Sequence, residues 1–313
     1  MDAVQHKFIP IRGLKLHVAE IGSGPKTVIF LHGFPEIWYS WRHQILAVAE
    51  AGFRAIAPDY RGYGLSEQPA EPEKATFADL VNDTVAIIDH YGVDKVFLVA
   101  KDFGVMVAYL IAKLHPDRVQ GIVTLGIALS PPGPTNFHTA LPEGFYILRW
   151  QEPGKAEADF GRFDAKTVVK KIYISFSKSE IPIAAEGQEI MDLVDSSAPL
   201  PPWLTDEDMA AYGDLYKKSG FQTALKVPYR SLDELHLFNI TDPTVEAPSL
   251  FILGEKDYYL KFPGAYEYIN GGMLKHIVPN LEIVRIPEGC HFVQEQFPEA
   301  VNTLLISFLT SHK

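Results

Sequence analysis

Three residues of the 313-residue chain combine type and setting in a way that could do chemistry: Asp102, Asp257 and His291. Asp102 lies in Val96-Phe-Leu-Val-Ala-Lys-Asp-Phe-Gly-Val-Met-Val-Ala-Tyr109, where a strand-like apolar run passes into an apolar helix through Ala100-Lys101-Asp102-Phe103-Gly104. Small residues flanking such a strand-to-helix turn let one reactive side chain project above a sheet. A carboxylate there, with an ordinary pKa of about 3.9, is ionised at neutral pH and attacks without a base. It suits displacement at a saturated carbon. An acyl substrate would give a reactive anhydride, whereas an epoxide or alkyl halide gives an ordinary ester that water can cleave. The mundane alternative is an aspartate capping the next helix.

Asp257 ends Gly254-Glu-Lys-Asp257, directly after the β-rich run Ser249-Leu253, and His291 lies in Gly289-Cys-His291-Phe-Val, shortly after Glu282-Ile286. Nucleophile, acid and histidine in this chain order match the α/β-hydrolase fold. The histidine is expected to take a proton from water while Asp257 fixes its tautomer and stabilises the cation. A turn aspartate and a structural histidine are the competing readings. Leu31-His32-Gly33-Phe34-Pro35-Glu36 follows the third strand-like run, where this fold places its second oxyanion donor. The amides of Phe34 and Phe103 are expected to stabilise the oxyanion when water attacks the Asp102 carbonyl, each contributing roughly 3 to 4 kcal/mol. His32 reads as a scaffold hydrogen-bonder. An opened epoxide leaves an alkoxide that needs a proton, and tyrosine, with an ordinary pKa of about 10, can supply it. Tyr146, Tyr173, Tyr212, Tyr216 and Tyr229 are available in the middle of the chain, and the bare sequence does not choose among them.

The elements that must position these residues follow from hydrophobic rhythm. Strands are predicted at Lys7-Arg12, Lys15-Ile21, Lys26-Leu31, Arg54-Ala57, Lys95-Ala100 and Val119-Leu125, the first two forming a hairpin near Gly13. Helical spacing marks Trp38-Ala51, Phe77-Tyr91 and Phe103-Leu114. At Ser130-Pro-Pro-Gly-Pro134 the alternation breaks, and no β-rich run returns until Ser249-Leu253. Between them lie helical pieces such as Lys166-Ser177 and Asp206-Ser219, separated by the proline-rich Ala198-Trp203. After Glu282-Ile286, Pro298-Thr310 is a closing helix. The expected architecture is therefore a mostly parallel eight-stranded sheet flanked by helices, residues 1–129 and 240–313, with a helical cap inserted at 130–239.

Composition limits the partners. A formal net charge of -11 argues against nucleic acid or an anionic membrane, either of which needs a clustered basic surface. The single cysteine, Cys290, excludes an intramolecular disulfide and fits a reducing compartment. The first residues lack the apolar stretch of a signal peptide, and the longest apolar run, Phe103 to Ala112, is about half a bilayer-spanning helix. A soluble cytoplasmic protein is expected, a monomer or homodimer. The 11 histidines show no paired ligand spacing, so neither a metal nor another cofactor is expected.

Taken together, His32-Gly-Phe-Pro-Glu-Ile-Trp-Tyr-Ser-Trp-Arg-His43, Pro58-Asp-Tyr-Arg-Gly-Tyr-Gly64, the Asp102 turn, Pro153-Gly154, Gly254-Glu-Lys-Asp257 and His291-Phe-Val-Gln-Glu295 resemble the soluble epoxide hydrolases of the α/β-hydrolase superfamily, the plant-type enzymes in particular. The resemblance runs nearly end to end. It implies that Tyr146, in Gly144-Phe-Tyr-Ile-Leu-Arg-Trp150, and Tyr229, in Val227-Pro-Tyr-Arg230, polarise the epoxide, and that Glu36 supports a water. Phe34, Trp38, Phe103 and Leu129 are expected to line the pocket. Three positions depart from the family pattern: Lys101 where many relatives have His, Phe103 where they have Trp, and Pro228 where an aromatic residue often precedes the second tyrosine. Proline removes an N–H and can kink a helix, so it bears on the aim of Tyr229. The rival enzyme is a haloalkane or fluoroacetate dehalogenase, which shares the Asp nucleophile but needs halide donors that Phe103 and Phe34 do not supply. A rival of another class is a non-catalytic receptor that binds a hydrophobic ligand on the same fold.

Overall fold

The computed structural model describes residues 3–131 and 141–312; the predicted break at Ser130–Pro134 therefore falls partly outside the described residues. Eight strands form one sheet: β1 (Gln5–Ile11), β2 (Leu14–Ile21), β3 (Thr27–Leu31), β4 (Arg54–Pro58), β5 (Val96–Lys101), β6 (Val119–Leu125), β7 (Ser249–Gly254) and β8 (Leu281–Ile286). Their spatial order is β1-β2-β4-β3-β5-β6-β7-β8. The pairings of β1 with β2 and of β2 with β4 are antiparallel, and the rest are parallel. All eight predicted runs are recovered, to within two residues at each end.

Burial explains why these runs were so clear. β3, β5 and β7 are buried on both faces, as central parallel strands covered by helices must be, and so read as unbroken apolar stretches. β1, at the sheet edge, is mostly exposed and carries Pro10, which an edge tolerates. Ile11 pairs with Leu14, so Arg12-Gly13 is a two-residue hairpin turn. Both turn residues have positive φ, +46° and +84°, as a primed turn requires.

The helices flanking the sheet are α1 (Arg42–Glu50), α2 (Phe77–His90) and α3 (Gly104–Leu114) before the break. Between β6 and β7 come α4 (Tyr146–Gln151), α5 (Lys155–Phe160), α6 (Ala165–Phe176), α7 (Asp206–Ser219) and α8 (Gln222–Lys226), then a 3₁₀ segment, Tyr229–Phe238. The chain closes with α9 (Ala265–Asn270), α10 (Met273–Ile277), α11 (Val293–Gln296) and α12 (Pro298–Ser311). One apolar layer joins α1 and α12 to one sheet face through Trp41, Val48, Phe97 and Leu305. The layer on the other face, with α2 and α3, continues without interruption into Trp150, Tyr173, Met209 and Tyr216 of the helices between β6 and β7.

The predicted helix Trp38-Ala51 is divided into a 3₁₀ turn, Trp38–Trp41, and α1. The Ser40 amide and hydroxyl both donate to the Ile37 carbonyl, at 3.0 and 2.9 Å, tightening that turn to a three-residue repeat. Pro228 kinks nothing: it stands between the end of α8 and the start of the 3₁₀ segment, where its missing N–H is not needed.

Candidate active site

β5 ends at Lys101 and α3 begins at Gly104, leaving Asp102 and Phe103 to make the turn. Asp102 sits at φ +52°, a left-handed conformation that costs a non-glycine residue energy and is held here by its surroundings. Its amide donates to the Leu125 carbonyl at 3.3 Å, and its own carbonyl accepts from the Val105 amide at 3.0 Å. Two glycines make room. A Cβ on Gly104 would stand 2.6 Å from the Leu31 and His32 carbonyl oxygens, so only glycine lets α3 start against the end of β3. A Cβ on Gly33 would stand 2.3 Å from the Asp102 Cβ and 2.7 Å from Glu36 Oε2. The loop after β3 thus rests directly on the Asp102 side chain.

The Asp102 side chain is 14% exposed, and its two oxygens have different neighbours. Oδ1 accepts from the Phe34 amide at 3.1 Å, and the Phe103 amide also faces the carboxylate. Oδ2 lies 3.3 Å from His291 Nε2. The opposite ring nitrogen, Nδ1, donates to Asp257, 3.0 and 2.9 Å from its two oxygens. Asp257 in turn accepts from the Tyr259 amide at 2.9 Å, which fixes its rotamer. Burial opposes the charge on Asp102, but the hydrogen bond and charge of His291, aided by Lys101, prevail and hold its pKa at about 2. For His291, burial favours the neutral ring. Asp257 and Asp102 outweigh both burial and the repulsion of Lys101, so the pKa of the imidazole is raised. The resting arrangement is one imidazole between two carboxylates.

Tyr146 opens α4 and Tyr229 opens the 3₁₀ segment, and their rings meet edge to face, centroids 6.1 Å apart. Tyr229 packs against Phe34 at 5.4 Å, so the pair stands next to the loop that touches Asp102. Burial, with the nearby negative charge of Asp102, pushes both phenols above their ordinary range and keeps them protonated. The other tyrosines between β6 and β7 are engaged elsewhere. Tyr173 donates to Glu295 at 2.9 Å and Tyr212 at 3.1 Å, while Tyr216 points to the Glu36 carbonyl at 3.5 Å. Sequence reasoning missed Tyr258, whose hydroxyl is 3.3 Å from that of Tyr146 and whose ring lies 5.0 Å from that of His291. Its position next to Asp257 was the available signal.

The remaining predicted residues separate. Glu36 is fully buried and its oxygens accept from the Gly33 amide at 3.2 Å and from Gln294 Nε2 at 2.5 Å. Burial above all, with Glu295 and Asp102 nearby, raises its pKa to about 7. Leu129 is buried in the apolar layer shared with Tyr146, and its carbonyl accepts from the Tyr268 hydroxyl at 2.7 Å. Trp38 packs on the α1 side of the sheet. Its amide is tied to Asp59 Oδ1 at 2.8 Å, and its ring packs on His6 at 4.8 Å and His17 at 6.0 Å, in the layer on the α1 face of the sheet. His32 is fully used as scaffold: Nδ1 donates to the Gly33 carbonyl at 2.9 Å and Nε2 accepts from the Tyr60 amide at 3.3 Å. Burial lowers its pKa to about 4 and keeps it neutral. Cys290 is buried, its thiol pushed up to about 12.

The profile of the α/β-hydrolase fold family matches residues 26–298. Epoxide hydrolase 1 of Siraitia grosvenorii is 39% identical over 99% of both chains. The chain belongs to the epoxide hydrolases of the α/β-hydrolase superfamily. Solved structures agree with this family assignment. An epoxide hydrolase of Vigna radiata superposes with a TM-score of 0.91 at 36% identity, covering 99% of both chains. Epoxide hydrolase I of potato, Solanum tuberosum, superposes at 0.88 with 34% identity, covering 98% of this chain and 99% of its own. In this α/β hydrolase no helix among the described residues is long and apolar enough to cross a membrane.

Proposed function

We propose that the protein converts epoxides to vicinal diols through a covalent hydroxyalkyl ester on Asp102, with 130–239 as cap and 1–129 and 240–313 as catalytic core. The observation that carries this reading is the split environment of the Asp102 carboxylate. Oδ1 is taken by the Phe34 amide, which leaves Oδ2 to attack. In the first step Oδ2 bonds to a ring carbon, that carbon's bond to the epoxide oxygen breaks, and Tyr146 or Tyr229 protonates the released alkoxide. Oδ1 becomes the ester carbonyl oxygen, already lying against the oxyanion donors.

In the second step His291 takes a proton from water, and the hydroxide adds to the Asp102 carbonyl carbon under the Phe34 and Phe103 amides. Collapse expels the diol oxygen, which takes that proton back from His291. The second proton of the water restores the tyrosine, and Asp102 returns as carboxylate. Glu36, buried beside Gly33 and Asp102, is assigned to the support of the hydrolytic water. The buried single thiol and the acidic composition support a cytoplasmic setting.

The deciding experiment is a single turnover of an aryl epoxide in heavy-oxygen water with enzyme in excess. The expected diol carries no label, since its new oxygen comes from Asp102, and the label appears in the Asp102 peptide. Labelled diol from the first turnover would overturn the covalent scheme. Asp102→Ala is expected to form no diol.

A further inference from the structure

Lys101, the last residue of β5, immediately precedes the nucleophile. It is fully buried, and its Nζ has no hydrogen-bond partner among the described residues; the Phe292 ring centroid lies 5.4 Å away. An ammonium withdrawn from water without an acceptor is costly, and an apolar side chain would fill the space without that cost. The surroundings show what the charge faces. At Gly126, just past β6, an added Cβ would stand 2.9 Å from Lys101 Nζ and 3.2 Å from His291 Cε1. The ammonium and the imidazole therefore flank the same glycine.

Four charged groups act on His291: Asp257 at Nδ1, Asp102 at Nε2, Lys101 across Gly126, and the more distant Glu36. Tyr258 and Cys290 also adjoin it, but burial raises both and leaves them neutral. In the resting enzyme two contacting carboxylates outweigh one ammonium. Esterification changes this balance, because Asp102 then carries no charge. The imidazole is left between Asp257, which favours its protonated form, and Lys101, which opposes it. A protonated imidazole cannot accept a proton from water.

Building on the ester mechanism above, we propose that Lys101 is a positioning residue whose buried ammonium keeps His291 unprotonated once Asp102 is esterified, so that the ester is hydrolysed down to mildly acidic pH. The same charge favours the carboxylate of Asp102 before attack, so a single cation serves both halves of the cycle.

The test uses Asp102→Asn, whose amide imitates the uncharged ester, and follows the His291 ring nitrogens by NMR as pH is varied. Adding Lys101→Met is expected to raise the His291 midpoint by about one pH unit, a roughly tenfold loss of free base below it. Lys101→Arg is expected to restore it. In the otherwise unchanged enzyme, Lys101→Met moves the acid limb of ester hydrolysis upward by the same amount, and ester accumulates near pH 6 by intact mass. An unmoved His291 midpoint in the double variant overturns the proposal. The NMR midpoint needs no turnover, so failure of the epoxide reading, seen as no adduct in any variant, remains separate. Lys101→Gln replaces Met if Met does not fold. If both neutral variants fail to fold while Lys101→Arg folds, Lys101 is a structural cation and the proposal is wrong.

Discussion

Burial raises the pKa of any carboxylate, yet Asp102 and Glu36, touching the same glycine, end on opposite sides of the ordinary value. Asp102 has His291 directly against it and is held at about 2, below its unfolded value of 3.8. It therefore stabilises the fold above about pH 4, and this contribution is lost as pH falls toward 2. Glu36 accepts only neutral hydrogen bonds and is raised from 4.5 to about 7. Its ionisation costs stability as pH rises through that interval. Glu36→Gln is accordingly expected to gain on the wild type between pH 4.5 and 8, by on the order of 3 kcal/mol in urea unfolding. A gap independent of pH would contradict the assignment. For the phenols, Tyr146→Phe or Tyr229→Phe is expected to slow ester formation roughly 10²-fold and the double variant to nearly abolish it, read by rapid quench and intact mass. Asp102, Asp257 and His291 were legible in the sequence because each follows a strand in a recognisable turn. The residues alone did not choose among the tyrosines, and Tyr146 and Tyr229 came from the family resemblance, since what distinguishes them is which hydroxyls the fold uses up. Tyr173 and Tyr212 are committed to Glu295, and Tyr258 meets Tyr146 across 112 positions of chain.

At the scale of elements, the contact between α3 and the end of β3 fixes the nucleophile. Gly104→Ala places a methyl against two backbone oxygens that cannot move independently, so α3 must shift away from β3. At least a 10²-fold fall in kcat/KM is expected, with a lowered Tm, because small displacements of reacting groups are that expensive. Thr76→Ala is the contrasting case. It removes the capping box that starts α2, remote from the chemistry, and is expected to cost about 1 kcal/mol in denaturant unfolding while kcat stays unchanged. The strands were readable from sequence because a strand buried on both faces is an apolar run whatever surrounds it. The break inside Trp38-Ala51 was not, because it depends on Ser40 returning both its donors to Ile37.

Across the whole molecule, a buried polar network ties the helices between β6 and β7 to the sheet layer. Arg42 of α1 binds Glu295 at 2.5 Å and Asp208 of α7 at 3.1 Å, and Tyr39 donates to Asp208 at 3.0 Å. Tyr173 of α6 and Tyr212 of α7 complete the shell of Glu295. Arg42 and Glu295 are 253 residues apart, so no local pattern announces the pair. Arg42→Met is expected to destabilise the protein by about 3 to 5 kcal/mol in denaturant unfolding, because it strands a buried carboxylate. Movement of these helices is constrained by the same shell. Hinging α6 and α7 outward as a block would strip Glu295 of two hydroxyls at once, in a place where no solvent waits to replace them. Separating α6 and α7 from the sheet layer thus costs one carboxylate both of its phenol partners in a single movement.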